Sequence, residues 1–581
     1  MMERNSPIYF TCYPLFCLCG VLVVLLSSPA GFAQSAGTQP AEKDGVKGGE
    51  GQIKFDITDI IGRPLASRGV VELSGGAGQM VLEMPEGVGT LQAPLGPARV
   101  KVYVYDDGVP VLVDINDITV EAGAPSFVLV TLLEGSKESG PLRRYDQDFD
   151  LALDSFELAY GTDPLDPASI PGEESFVWKS ETLKAEPGWY RGELHSSSLY
   201  GRGQESVAEL VKRAEKLGLD FLAITDRNTL DSALDPDFVS DKVVLIPAME
   251  WGDDARGVAL IYGPRTLVPL TDNVSEGQAM LVRVQAQGGI VAIAHPCFPT
   301  NPWLWGFSHM NAVEGWCRDW GKAPPMTLGH LDARNLERKD GKLMHSIAVA
   351  AATRGKSANG QAVLFWDLET NQGLQAGIIA GSRTSHPKVA MATPITYVYA
   401  NEKSLRGILE GLRQGRTFVS SGPDGPRVDF IADVFDDGLN YVSIGGVIPI
   451  NQETRFYVTV RGAKGKRLEV LYNGLPNRVF SIKEDEAVYN FVDFPSALGS
   501  YRVRVVDTPT SASFELVEMH AMTSAIYARE VVIVDPTGKA AWIPLKSEFI
   551  RPEILDEHIR KFGDPADSEL ELGVKLITRD P

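Results

Sequence analysis

Five acidic residues, Asp146, Asp148, Asp150, Asp154 and Glu157, occupy positions 1, 3, 5, 9 and 12 of a twelve-residue window. That spacing wraps carboxylate oxygens around Ca2+, a hard cation that takes only oxygen ligands. Position six, where such a loop wants glycine for its sharp turn, is Leu151. The expected site therefore has either reduced affinity or a different turn geometry. The plainer alternative is an acidic, solvated linker. A second set of polar residues is scattered along the chain: Asp226, Glu250, His295 and the segment Ser382 to His386 each follow an apolar run, FLAIT, VVLIPAM, IVAIA and AGIIAG respectively. Carboxylates and imidazoles are the groups that bind divalent metals or move protons. One such residue at a strand end is as readily a satisfied hydrogen-bonding group as a functional one.

The elements that must position these residues alternate in type. From Ser206 to Leu217 the residues Val207, Leu210, Val211, Ala214 and Leu217 fall on one helical face, and Gly218 follows as a stop. The strand Phe221 to Ile224 comes next. The cycle repeats in VVLIP, in a helical EGQAMLVRVQAQ ending at Gly288 and Gly289, and in the strands IVAIA and AGIIAG. Strand and helix in alternation imply a largely parallel sheet, and a span of roughly 240 residues suits a closed α/β barrel with its chemistry at the C-terminal strand ends. Residues 53–135 instead show short β-rich runs between Gly and Pro turns, an N-terminal β-sandwich-like module. Residues 426–545 repeat that pattern in FYVTVRG, LEVLYNG, SYRVRVVD and REVVIVD as a C-terminal β module. The expected order is thus a β module over 53–135, the Asp-rich junction over 143–172, a barrel over 173–422, a second β module and a partly helical tail over 546–581.

Six motifs in the central region stand in a recognisable order: GELHSSSLYGRG, LGLDFLAITDRNT, IPAMEW, AIAHP, GIIAGSRTSHP and ITYVYANEKSLRGILEGLRQGRTFVSSGP. Together they resemble the polymerase and histidinol phosphatase (PHP) superfamily of metallohydrolases, and the last resembles its carbaryl-hydrolase branch. The resemblance covers residues 188 to 422 and implies a distorted α/β barrel holding divalent metals. It implies His195, Glu250, His295 and His386 as metal ligands, with Glu250 or Asp226 orienting or deprotonating the attacking water. Departures from the pattern are equally specific: Ser197 stands where the opening motif has its second His, Arg202 where it has Asp, Arg227 where the next motif has His, and Arg383, or Thr384 in the alternative alignment, where the closing motif has Asp. Guanidinium groups donate hydrogen bonds and cannot ligate a metal. The resemblance with these losses implies at most one divalent transition metal, zinc, manganese or iron. It leaves two activities open: single-metal hydrolysis of a phosphoester, amide or carbamate bond, or binding without catalysis, in which Arg202, Arg227 and Arg383 grip a small anionic ligand.

The formal net charge of -21 over 581 residues excludes a broad nucleic-acid footprint, which needs clustered Lys and Arg. Leu15 to Leu26 is almost wholly apolar and is followed by Gly31-Phe32-Ala33, the layout of a signal peptide over 1–33, with a flexible linker over 34–52. An exported, periplasmic or extracellular protein is expected, with no transmembrane helix after cleavage; an uncleaved anchor is the alternative. Cys297 and Cys317 lie outside that segment, either as one bridge or as free thiols. Cys297 is also a weak candidate nucleophile. Trp303, Trp305, Trp316 and Trp320 either line a pocket mouth or pack a long loop.

Overall fold

The computed structural model describes residues 49–74, 78–132, 141–306, 309–327, 357–371, 373–434, 436, 438, 440–508 and 517–530. The expected signal peptide, most of the linker, the strand residues beyond Glu530 and the helical tail lie outside them. The chain divides into two compact units, residues 1–173 and 174–581. It is mostly β. Among the described residues no helix is long and apolar enough to cross a membrane.

Unit 1 contains β1 (Glu50–Asp59), β2 (Ser67–Leu73), β3 (Gln79–Met84), β4 (Val88–Pro94), β5 (Gly96–Asp106), β6 (Val109–Val120) and β7 (Ser126–Leu132). They pair as two sheets, β4-β1-β7 and β3-β2-β5-β6. The period-two pattern explains the arrangement: in β1, Ile53, Phe55 and Ile57 are buried while Gln52 and Asp56 are exposed. Those three residues share one core with Val100, Val102 and Val104 of β5, and each such side chain contributes about 1.5–3 kcal/mol on burial. Gly69 lets β2 approach this core, since a Cβ there would lie 2.7 Å from the Phe55 ring. A short 3-10 turn (Leu142–Tyr145) then leads through the acidic loop into α1 (Asp154–Tyr160), which stops at Gly161 in the left-handed conformation, φ 95°.

Unit 2 opens with β8 (Gly188–Ser196), α2 (Val207–Lys216), β9 (Phe221–Arg227), α3 (Asp231–Leu234), β10 (Val244–Asp253), β11 (Gly257–Tyr262), α4 (Val274–Ala286), β12 (Ile290–Ile293), β13 (Ala312–Cys317), α5 (Ala358–Asn371), β14 (Gly377–Gly381), β15 (Ile395–Ala400), α6 (Leu405–Arg413) and β16 (Thr417–Ser420). It continues with β17 (Arg427–Val434), β18 (Asn440–Ser443), β19 (Val447–Pro449), β20 (Thr454–Arg461), β21 (Arg467–Tyr472), β22 (Leu475–Ser481), β23 (Glu486–Asp493), β24 (Gly499–Val506), β25 (Met519–Thr523) and β26 (Ile526–Arg529). The expected helix after Ser206 forms as α2, with a reciprocal Ser206/Glu209 cap and Val207, Leu210, Val211 and Ala214 buried.

The largely parallel sheet of the sequence reading is replaced by a mixed one, and its strand pairing does not itself trace a closed barrel. Its order runs β14-β13-β12-β11-β10-β9-β8-β15-β16-β25-β24-β21-β22. β8, β9 and β10 are parallel, as are β12, β13 and β14. β11 is antiparallel to both its neighbours, and β15 to both of its own. The physical reason is connection length. Only Asp254, Ala255 and Arg256 separate β10 from β11, enough for a hairpin and far short of the dozen or so residues a parallel crossover needs. At the β14 edge, side chains replace a ladder: Ala380 N–H donates to Thr396 Oγ1 at 2.8 Å, and Thr417 Oγ1 donates to the Ile378 carbonyl at 2.6 Å. The sheet continues past β16 into the C-terminal strands through the β16–β25 pairing. There, Phe430 and Phe456 of the sheet β18-β17-β20-β23 share a core with Val470, Tyr501 and Val503.

Candidate functional site

The C-terminal ends of β8, β9 and β10 and the residues after β12 bring three of the expected ligands together. One ligand atom from each of His195, Glu250 and His295 lies within 4.8 Å of the others, and all three residues are buried. Strand register does part of this. Glu250 stands opposite Arg227 in the parallel β9–β10 pair, which sets their side chains next to each other. Gly381, at the end of β14, permits the close approach of that strand, since a Cβ there would come within 2.4 Å of His195 Cβ.

His195 is oriented by a residue the sequence reading missed. Its Nδ1 lies 2.9 Å from Glu314 Oε1, and Glu314 Oε2 accepts the His295 backbone N–H at 3.0 Å. A carboxylate at Nδ1 fixes the N–H there, leaving Nε2 with its lone pair. That Nε2 faces Glu250 Oε1 at 3.9 Å. The signal for Glu314 was present: a lone carboxylate inside the apolar strand AVEGWC, a position that must find buried partners. Glu193, also missed, is fully buried and accepts from the N–H groups of His195, Ser382 and Ala392 and from the Ser382 hydroxyl. It ties β8 to the segments that follow β14. Burial pushes its carboxyl pKa up, opposed by those hydrogen bonds.

Both ring nitrogens of His295 and Glu250 Oε1 are buried without a hydrogen-bond partner among the described residues. Burial above all, with Arg383, His195 and Arg227 nearby, holds the His295 pKa well below the usual imidazole value, so the ring is neutral and one of its nitrogens offers a lone pair. Unpartnered buried imidazole and carboxylate atoms facing one another are costly unless a cation lies between them. The His, His and Glu donor set suits a divalent transition metal.

The arginines are placed unequally. Arg227 is mostly buried; its Nη1 lies 3.2 Å from Glu250 Oε2 and its Nη2 2.9 Å from Asp254 Oδ1. Arg202 is exposed and reaches the same Asp254 at 3.4 Å. Arg383 is half-buried with a left-handed backbone, φ 49°, and no hydrogen bond or ion pair of its guanidinium is found among the described residues. Thr384 is buried and meets the Ser382 hydroxyl at 2.6 Å. Asp226 accepts from Ser197 Oγ at 2.8 Å, from Ser198 N–H at 2.7 Å and from the Ser198 hydroxyl, so its oxygens hold the β8 loop. His386 joins none of the metal-capable clusters among the described residues, and its Nδ1 accepts the Lys388 N–H at 3.0 Å. Cys297 and Cys317 are free and buried; burial raises the Cys297 thiol pKa, against a nucleophilic role. The four tryptophans are packing residues: Trp303, Trp305, Trp316 and Trp320 are all buried, with Trp305 against Trp251 at 4.7 Å.

In unit 1 the acidic loop brings Asp146, Asp148 and Asp150 within 4.8 Å of one another. Asp154 instead accepts from Gln147 N–H at 2.9 Å and from the Gln147 amide. Leu151 and Phe149 take left-handed backbones, φ 73° and 65°. Burial first, then the charges of Asp150, Asp148, Asp154 and Asp146, raise the Glu157 pKa to about 9; burial chiefly raises Asp148 to about 7.

No protein-family model matches the chain, and no curated protein matches it. Among solved structures it is similar to a two-domain protein from Bacteroides vulgatus ATCC 8482 containing a predicted PHP-like metal-dependent phosphoesterase, at 15% identity over 60% of this chain and 98% of that one, TM-score 0.31. It is also similar to a chain from Bifidobacterium adolescentis ATCC 15703 described as a metal-dependent phosphoesterase, at 13% identity over 34% of this chain and 90% of that one, TM-score 0.21. A shorter stretch is similar to the CARDB domain of a Pyrococcus furiosus protein, at 17% identity over 18% of this chain and 95% of that one, TM-score 0.12. At TM-scores this low the likenesses carry no argument about activity.

Proposed function

We propose that unit 2 is a hydrolase carrying one divalent transition metal, zinc, manganese or iron, on His195, Glu250 and His295, and that its substrate is a small anionic ester, a phosphoester foremost. The observation that carries the reading is the His295 ring, buried with both nitrogens unpartnered and set beside the free oxygen of Glu250. A divalent ion held there would supply Lewis acidity, polarising the scissile group and making water a competent nucleophile near neutral pH. The chain's own residues do the rest. Glu314 fixes the His195 tautomer. Arg227 and Arg383 supply fixed positive charge beside His295, where forked hydrogen bonds would orient an anionic group. Of the two candidate water-activating carboxylates, Glu250 retains an oxygen without a hydrogen-bond partner, while Asp226 is engaged by Ser197 and Ser198.

The second reading, anion binding without catalysis, draws on the Arg227 to Glu250 pair: one carboxylate oxygen already faces a side-chain cation. The two readings part on metal content and turnover. Protein purified without chelator should contain about one equivalent of zinc, manganese or iron and hydrolyse p-nitrophenyl phosphate. His295→Ala should lose the metal, and Glu250→Gln should lower turnover by about 100-fold or more. Metal-free wild type that binds phosphate without turnover would establish the binding reading. The carbaryl-hydrolase resemblance makes carbamate and amide esters the next substrates to assay. Export belongs to the same proposal, and N-terminal sequencing of secreted or periplasmic material should begin at Gln34 or within a few residues of it; an intact Met1 would refute cleavage.

A further inference from the structure

Glu157 is the most unusual carboxylate of unit 1. It is fully buried, with relative exposure of 0%, and neither of its side-chain oxygens has a hydrogen-bond partner among the described residues. It lies on α1 one turn after Asp154, while the acidic loop ahead of the helix places Asp146, Asp148 and Asp150 in a buried cluster. Loop backbone satisfies part of that cluster. Asp146 accepts from Asp150 N–H at 3.2 Å and from Leu151 N–H at 3.1 Å; Asp148 Oδ1 accepts from Asp150 N–H at 3.2 Å; and Asp150 Oδ1 accepts from Ala152 N–H at 2.7 Å. Asp148 Oδ2 is left buried without a hydrogen-bond partner among the described residues. Among the described residues no lysine, arginine or histidine pairs with Asp146, Asp148 or Glu157. Buried anions with no counter-charge require either protons or a cation. The donors are all oxygens, with no imidazole or thiolate among them, which selects a hard ion over zinc. The loop is also anchored: Leu112 of β6 donates to the Leu151 carbonyl at 2.8 Å and accepts from Leu153 N–H at 3.2 Å.

We propose that Asp146, Asp148, Asp150 and Glu157 form a Ca2+ site that locks the acidic loop to α1, with Glu157 as the closing ligand and Asp154 serving Gln147 instead. The left-handed Leu151 gives the sharp turn that glycine gives in the commoner form of such loops. Because the unfolded chain lacks the site, calcium stabilises unit 1 by mass action.

The test is thermal unfolding of the full chain in millimolar Ca2+, Mg2+ or chelator. Wild type should gain on the order of 4 °C or more in the unit 1 transition with Ca2+ over chelator, and less with Mg2+. Glu157→Gln should abolish that gain while melting in chelator at or above the wild-type temperature, because a neutral amide replaces a buried carboxyl that without calcium must hold a proton. His295→Ala, in the other unit, should keep the full calcium response. A wild-type transition indifferent to Ca2+, an equal response to Mg2+, or a Glu157→Gln variant that keeps the gain would each overturn the assignment.

Discussion

His195 has two nitrogens with separate duties. Nδ1 is spent on Glu314, and Nε2 is thereby left as a lone pair facing Glu250. Glu314 is a positioning residue for the proposed metal, and outer partners of ligating histidines typically change metal affinity by about 10–100-fold. Glu314→Gln should therefore weaken zinc or manganese binding by that factor in calorimetry while leaving the fold intact; unchanged affinity would remove Glu314 from the site. Arg227 sits between two carboxylates, Glu250 inside and Asp254 outside. Its replacement by Ala should weaken phosphate binding by about 1–3 kcal/mol, the cost of a lost hydrogen bond to a charged group, with the larger part surviving raised salt because the side chain is largely shielded from solvent. Arg202, exposed and 3.4 Å from Asp254, should matter much less, since exposed ion pairs contribute little.

At the scale of elements, β10 and its neighbours decide where the proposed metal site sits. β10 is buried almost throughout, as a strand covered on both faces must be, and its register with β9 delivers Glu250 to Arg227. In the acidic loop the backbone itself is under load. Phe149 is exposed and left-handed at φ 65°, a conformation that costs a residue with a Cβ about 1–2 kcal/mol. Phe149→Gly should therefore stabilise unit 1 by about 1 kcal/mol in denaturant titration, with no loss of calcium response; a destabilised variant would show that the ring packs in solution.

On the scale of the whole of unit 2, one ion pair stands out because both partners are buried. Arg502 of β24 donates to Asp367 of α5 through Nε at 2.7 Å and Nη2 at 2.8 Å, with the guanidinium 5.7 Å from the Trp366 ring centroid. Removing one partner leaves a buried charge, so Arg502→Met should cost about 3–5 kcal/mol of unfolding free energy, and the double change Arg502→Met with Asp367→Leu should recover most of it. Since the β16–β25 pairing runs the sheet unbroken into the C-terminal strands, the loss should appear as a shift of one cooperative transition of the whole unit. Two separated transitions would show that the C-terminal strands fold independently.

The sequence by itself determined the local elements and the identity of three clustered groups. The 3.6 period marks α2, the alternation in β1 marks its buried face, and the order of apolar runs followed by Asp226, Glu250 and His295 marks strand ends. Spacing alone also put carboxylates around the loop at Asp146. What it could not determine depends on through-space pairing. That β11 runs antiparallel is decided by a three-residue hairpin, and what β14 meets at its free edge by the Thr396, Thr417 and Ser524 hydroxyls. Glu314 acquires its role only because β13 lies between β12 and β14, far in sequence from His195. The difference in burial between Asp154 and Glu157, and between Arg227 and Arg202, is likewise a property of the packed chain that residue type and spacing do not encode.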